Sequence, residues 1–373
     1  MSKLNWKSIV GWGVAIAVIF GIVGYNAYQA KQKSSSNKNT VLVVLPMTGN
    51  ISVWSDYFTR GIEYFKAKHP NSKIQVKILD TQSNNMTMIS GLQQEFMWGK
   101  PYALVVPFSP YAVPAAAFAA KENVYTIGMA CSNKILENET VQRVYVSSYD
   151  GIKPLADYLK KRHKTLAILH GNDEGSISDV DIMVKEYKTA DNEIIARDTF
   201  EISNNDIHTM VHKLLKDNPE AIFTEGYGKD YWKIISELKS LNYPGVITSN
   251  MAFNDQEQIK NLGPHAEGVI FMGSPADVSN SNIPAVQEMS KFFNEKYGKP
   301  LHYLSVLIYE ALAILDETAR KGLPPSRDTF EKMKTFDGIV GTLQFLPNGD
   351  MKYPWIPITI KDGKIVPIES EGQ

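Results

Sequence analysis

The chain has 373 residues, with 39 Lys and Arg against 40 Asp and Glu, a single cysteine and 43% hydrophobic residues. That length fits two domains better than one, and a net charge of -1 argues against general nucleic-acid binding, which needs a basic surface to neutralise phosphates. One cysteine allows neither an internal disulfide nor a multi-thiolate zinc site, and 21% charged with 10% aromatic residues is not the composition of a disordered chain.

The N-terminus departs from that average. Lys3 and Lys7 precede a stretch from Ser8 to Ala30 that carries no charge, and Lys31 and Lys33 close it. A transmembrane helix needs roughly 20 mostly apolar residues, and Trp6, Trp12, Tyr25 and Tyr28 stand near its ends as interfacial rings do. A cleaved secretory signal is the competing reading. Cutting after Ala27 or Ala30 would place Tyr25 or Tyr28 where processing wants a small residue, so residues 1–30 are expected to be a retained anchor. The large C-terminal part is then expected outside the cytoplasm, at the membrane on a single-pass tether. Residues 31–39 (KQKSSSNKN) read as a flexible linker.

From Thr40 onward short β-rich runs alternate with helical patterns. Val41–Leu45 is a continuous apolar strand of the doubly buried kind. Trp54, Tyr57, Phe58, Gly61, Ile62 and Phe65 follow helical spacing up to Pro70. Strands are expected near Ile74–Ile78, Ala103–Val106 and Val124–Met129, with helices at Ile89–Met97 and Ala112–Lys121 between them. The rhythm restarts after Tyr149-Asp150-Gly151, with strands at Thr165–Leu169, Ile194–Asp198, Ala221–Thr224, Val246–Thr248 and Gly268–Met272. Pro284–Thr335 is mostly helical, and Gly341–Leu346 and Trp355–Val366 read as closing strands. The fold class is α/β, with two doubly wound parallel-sheet lobes.

In open parallel sheets, ligands collect at the carboxyl ends of the strands. The loops there hold rings, small hydroxyls and glycines with few opposed charges, which suits holding a small molecule. No catalytic set emerges. The first strand–helix turn has one glycine, so it is no dinucleotide fingerprint, and Gly228-Lys229 is followed by Asp230 with Phe223 at the first glycine position of a phosphate loop. No G-x-S-x-G elbow occurs. His208 and His212 are four apart but lack the Glu of a zinc-protease helix, so they read as surface residues and no metal site is assigned. Cys131 could serve as a nucleophile only with a partner base; His170 is the only histidine in a neighbouring strand-end loop, and nothing in the sequence brings the two together. The expectation is a non-enzyme without a cofactor.

Leu45-Pro46-Met47-Thr48-Gly49 with Trp54 and Gly61, Ala266-Glu267-Gly268-Val269, and the closing Gly341-Thr342-Leu343-Gln344-Phe345, Asn348-Gly349-Asp350 and Gly363-Lys364 together resemble periplasmic binding proteins of the branched-chain amino acid group. The resemblance covers about 41–368. It implies a type I fold of two lobes joined by three crossovers near Ser148–Gly151, Gly273–Asp277 and Thr335–Ile339. Lobe 1 would comprise 40–149 with 277–336, and lobe 2 would comprise 150–276 with 337–373. It implies ligand contacts from Trp54, Ser109, Tyr111, Ala130 and Ser132 on the first lobe, and from Tyr227 and Asn250 on the second. Asn250 stands where amino acid binders carry a carboxylate against the ligand ammonium, and Asp173, Glu174 or Glu225 could restore the charge. The implied function is capture of a small amino acid-like, amide or carboxylate ligand for an ABC transporter permease. A receptor subunit signalling through a membrane partner is the alternative.

Overall fold

The computed structural model describes residues 39–201, 206–226 and 229–368, with the side chains of 229–231 outside that description. The expected N-terminal anchor, nearly all of the expected linker and Tyr227 lie outside the described residues. Among the described residues, no helix is long and apolar enough to cross a membrane.

The first half runs β1 (Thr40–Leu45), α1 (Ser55–Lys68), β2 (Gln75–Asp80), α2 (Asn85–Met97), β3 (Ala103–Pro107), α3 (Ser109–Lys121), β4 (Thr126–Met129) and β5 (Val141–Arg143). The second runs α4 (Ser148–Lys160), β6 (Thr165–Gly171), α5 (Glu174–Tyr187), β7 (Glu193–Phe200), α6 (Ile207–Leu215), β8 (Ala221–Glu225), α7 (Lys229–Ser240), β9 (Val246–Ser249), α8 (Gln256–Leu262) and β10 (Ile270–Gly273). Three helices follow, α9 (Pro284–Tyr297), α10 (Tyr303–Arg320) and α11 (Arg327–Met333). The chain then ends in β11 (Thr335–Gly338), β12 (Gly341–Phe345), β13 (Met351–Lys352), β14 (Ile356–Lys361) and β15 (Lys364–Pro367).

These elements build two separate sheets whose shared logic is parallel pairing. The first has the order β2-β1-β3-β4-β5 and is parallel throughout. The second has the order β15-β14-β10-β9-β8-β6-β7, parallel except for the closing β14–β15 hairpin on β10. Every residue of β1 is buried, as a strand covered by helices on both faces requires. Helix starts follow local chemistry: Asn84, Ser147, Asp173 and Asp206 each accept a backbone N–H from the first turn of the following helix, which satisfies donors that the helix leaves orphaned.

Helix α10 is buried on almost all sides, and it packs on α1 at Gly61. A Cβ there would lie 2.3 Å from Ile308 Cγ2 and from the Ser305 carbonyl, so only glycine permits this approach. Strands β11–β13 form their own antiparallel sheet. That sheet docks on the first half, with the Arg143 N–H donating to the Gly349 carbonyl (2.8 Å) and Gln142 Nε2 to that of Asp350 (3.0 Å).

Two expected segments take local form. Ser148–Gly151, expected near a crossover, forms the first turn of α4, where Ser147 Oγ accepts the Asp150 N–H at 3.0 Å. The closing strands expected over Trp355–Val366 form the β14–β15 hairpin. Asp362 and Gly363 adopt positive φ, and both their N–H groups donate to the Glu267 carboxylate.

Candidate functional site

In both sheets the first strand is flanked by the second and third strands of its own half: β1 by β2 and β3, and β6 by β7 and β8. Such an order creates a crevice at the carboxyl ends of the two strands where the winding direction reverses. In the first half that point falls at the loops after β1 and β3, and in the second at the loops after β6 and β8. Phe108, the residue between β3 and Ser109, has φ of +64°. For a bulky side chain this is a strained backbone, a cost of order 1–3 kcal/mol that persists where its surroundings enforce it.

The first half brings Ser109, Ala130, Cys131 and Ser132 together. Ser109 Oγ accepts the Ser132 N–H at 3.3 Å and lies 3.5 Å from Cys131 Sγ. The 131–133 loop is held from below by fully buried Arg143. Its guanidinium donates to the Cys131 carbonyl and to Asn133 Oδ1 (2.6 Å) and pairs with Asp350 at 3.0 Å. Ser109, Ala130 and Cys131 share a cavity of only about 10 Å³ with Phe58, Phe108 and Tyr145, room for one water at most.

The second half answers with a buried polar cluster. Asn250 Nδ2 donates to Glu225 Oε1 at 2.5 Å and to Asp179 Oδ2 at 3.2 Å, while its Oδ1 accepts the Ala252 N–H. Burial pushes the Asp179 carboxyl up to about 6. It pushes Glu225 well above the usual carboxylate range, with the Asp179 charge adding to the effect. Two carboxyls this close titrate as a pair and retain a proton near neutrality. Asp179 Oδ1 and Glu225 Oε2 are buried without a hydrogen-bond partner. Burial and the Asp179 charge push the Cys131 thiol up to about 12. Cys131 is therefore held as a thiol, and its reading as an activated nucleophile loses its physical basis.

The halves are also bridged directly. Ser132 Oγ donates to Glu174 Oε1 at 3.3 Å, and Lys134 Nζ lies 3.0 Å from Glu174 Oε2. An aromatic group also spans the two halves. Trp54, 2% exposed, has its ring 6.1 Å from Tyr57, 6.0 Å from Trp232 of α7 and 6.3 Å from His302. His302 stacks on Tyr57 at 3.9 Å. Its Nδ1 accepts the Leu304 N–H, so Nε2 donates to the Asn254 carbonyl, and burial pushes it down to about 3. Beyond these rings the cleft widens to about 1240 Å³, lined by Gly49, Ser52, Asp56 and Arg60 on one side and by Trp232, Gln256 and Lys260 on the other.

Ser109, Ala130 and Ser132 thus sit in one group, Asn250 in the opposing one, and Trp54 in the aromatic group with Tyr57, Trp232 and His302. Tyr111 instead packs in the apolar cluster with Val44 and Leu104, its hydroxyl directed at Thr81 and Ser83. Asp179, Arg143 and Trp232 were not legible as site residues. Glu225 carried a faint signal, a carboxylate closing the apolar strand Ala221–Thr224.

The family model described as periplasmic binding protein matches residues 40–364. The chain belongs to that family. Among solved structures, it superposes on a leucine-binding protein from Thermotoga maritima with a TM-score of 0.77 at 22% identity, covering 88% of this chain and 97% of that one. A solute-binding protein of an ABC transporter from R. palustris, in complex with 4-hydroxybenzoate, gives a TM-score of 0.79 at 17% identity, covering 89% and 96%. An extracellular ligand-binding receptor from Desulfohalobium retbaense gives 0.77 at 16% identity; the match covers 89% of this chain but 60% of the length of that one. At these identities the likeness is one of fold, and it agrees with the type I architecture of two parallel-sheet halves.

Proposed function

We propose that this chain is an exported, membrane-tethered solute-binding protein that closes two lobes over a small organic ligand and presents it to an ABC transporter permease. One lobe is built on the β1–β5 sheet and the other on the β6–β10 sheet. In this reading helices α9–α11 and the β11–β13 sheet go with the first lobe and β14–β15, which pair with β10, go with the second. The uncharged stretch from Ser8 to Ala30 supports the tether.

One observation carries the ligand reading: small hydroxyl and backbone groups on one lobe face a buried carboxyl–amide cluster on the other. Ser109, Ala130 and Ser132 suit an acceptor end of the ligand, and Asn250 with Glu225 and Asp179 suits a donor end such as an amine or amide. Trp54 and the loop at Tyr227 would wall the apolar middle, and Tyr111 would brace the first lobe from behind. The fold neighbours named for leucine and bound to 4-hydroxybenzoate support a ligand of this size.

Calorimetric titration of the full-length protein with amino acids, amides and aromatic carboxylates tests the proposal. Saturable binding to one class supports it. Turnover of a substrate with no saturable ligand would sink it. The tether favours keeping the receptor-subunit reading in view, and co-purification separates the two: permease subunits support transport, whereas a signalling protein supports sensing.

A further inference from the structure

We infer that the second lobe carries a surface site for a first-row transition metal ion, made by His208 and His212 of α6 and Glu237 of α7. The two histidines occupy successive turns of one helix, so their rings lie one above the other, with centroids 4.3 Å apart. Sequence spacing alone offers only that pair. Packing of α6 on α7 supplies the third donor, 29 residues away: Glu237 Oε1 lies 2.7 Å from His208 Nδ1. Donor atoms of all three residues fall within 4.8 Å of one another, the single such trio of His, Cys, Asp or Glu among the described residues.

Bonds of about 2.0–2.2 Å to imidazole nitrogen and carboxylate oxygen set tetrahedral donors about 3.3 Å apart. Small side-chain rotations therefore bring this trio to a common ion without moving either helix. Both histidines are exposed and Glu237 is partly so, which leaves water to complete the coordination. Lys213, the residue after His212, is turned to Asp198 at 2.7 Å. Two imidazoles with one carboxylate suit Zn²⁺, Ni²⁺ or Cu²⁺ and disfavour Mg²⁺ and Ca²⁺, which prefer all-oxygen shells. A bound ion would pin α6 to α7, the helix that also carries Trp232 into the cleft wall.

Titration of the full-length protein with Zn²⁺ tests the site. One ion per chain is expected, with a higher Tm in Zn²⁺ and no change in Mg²⁺. The single variants His212→Ala, His208→Ala and Glu237→Gln should each weaken Zn²⁺ binding at least about tenfold, since even partners that only orient metal ligands are worth that much. His265→Ala serves as the control and should bind as the parent does. Absence of a saturable Zn²⁺ site, or parental affinity retained in His212→Ala, overturns the inference. Circular dichroism confirms that each variant is folded before its affinity is compared.

Discussion

Asn250 donates one amide nitrogen to two buried carboxyls, Glu225 at 2.5 Å and Asp179 at 3.2 Å. This restores negative character at a point where the sequence shows only an amide. A charged hydrogen bond from a ligand donor is worth about 1.5–3 kcal/mol, roughly tenfold to more than a hundredfold in affinity. Glu225→Gln is accordingly expected to weaken an amine ligand by at least about tenfold while leaving an aromatic carboxylate largely unaffected. Isothermal titration with both classes separates the two outcomes.

Asp179 and two further buried carboxyls, Asp277 and Glu310, contribute a pH dependence of stability. Asp179 is raised to about 6 from an ordinary value of 3.8, and Asp277 and Glu310 are each raised to about 7 by burial. The folded state therefore holds protons that the unfolded chain has released. The corresponding stability is full at the acid end and is lost as pH rises through 6 to 7. Buried His302, pushed down to about 3, contributes in the opposite sense, so the test is the comparison with Asp179→Asn: the urea midpoint of the parent relative to that variant should fall between pH 5 and pH 8. A parent-minus-variant difference that is flat or rises over that interval would contradict the assignment.

Cys131, 4% exposed and pushed up to about 12, should resist alkylation by iodoacetamide at pH 8 in the native protein. It should react in denaturant, where the thiol regains an ordinary value near 8.5. Mass spectrometry of the two samples gives the comparison.

Arg143 ties the 131–133 loop to Asp350. Removing one partner of a buried ion pair leaves the other charge uncompensated, at a cost of about 3–5 kcal/mol. Arg143→Ala should lose stability on that scale, and a double-mutant cycle with Asp350→Ala should show strong coupling, read from urea unfolding.

At Gly61 two effects oppose each other. Alanine in a helix interior normally gains about 1 kcal/mol over glycine. Here its Cβ would meet Ile308 Cγ2 and the Ser305 carbonyl at 2.3 Å, and overpacking of this kind costs about 1–3 kcal/mol. The clash involves backbone, which yields poorly, so Gly61→Ala should lower the Tm.

The sequence by itself determined the alternation of strands and helices, the restart after Gly151 and the loops that end the strands. Periods of 2 and 3.6 and turn residues are local properties, written within a few positions of where they act. Val41–Leu45 reads as a buried strand whatever surrounds it, and Asp206 caps α6 with its own neighbours. Tertiary structure alone decided which loop residues meet. Asp179 reaches Asn250 across 71 positions and Glu225 reaches it across 25, while Gln142 meets Asp350 across 208. No spacing rule encodes such separations, because they depend on the order in which parallel strands are laid side by side. A local reason separates Tyr111 from its neighbour Ser109. Along a helix, two positions turn a side chain to another face, and Tyr111 went to the apolar cluster behind the sheet.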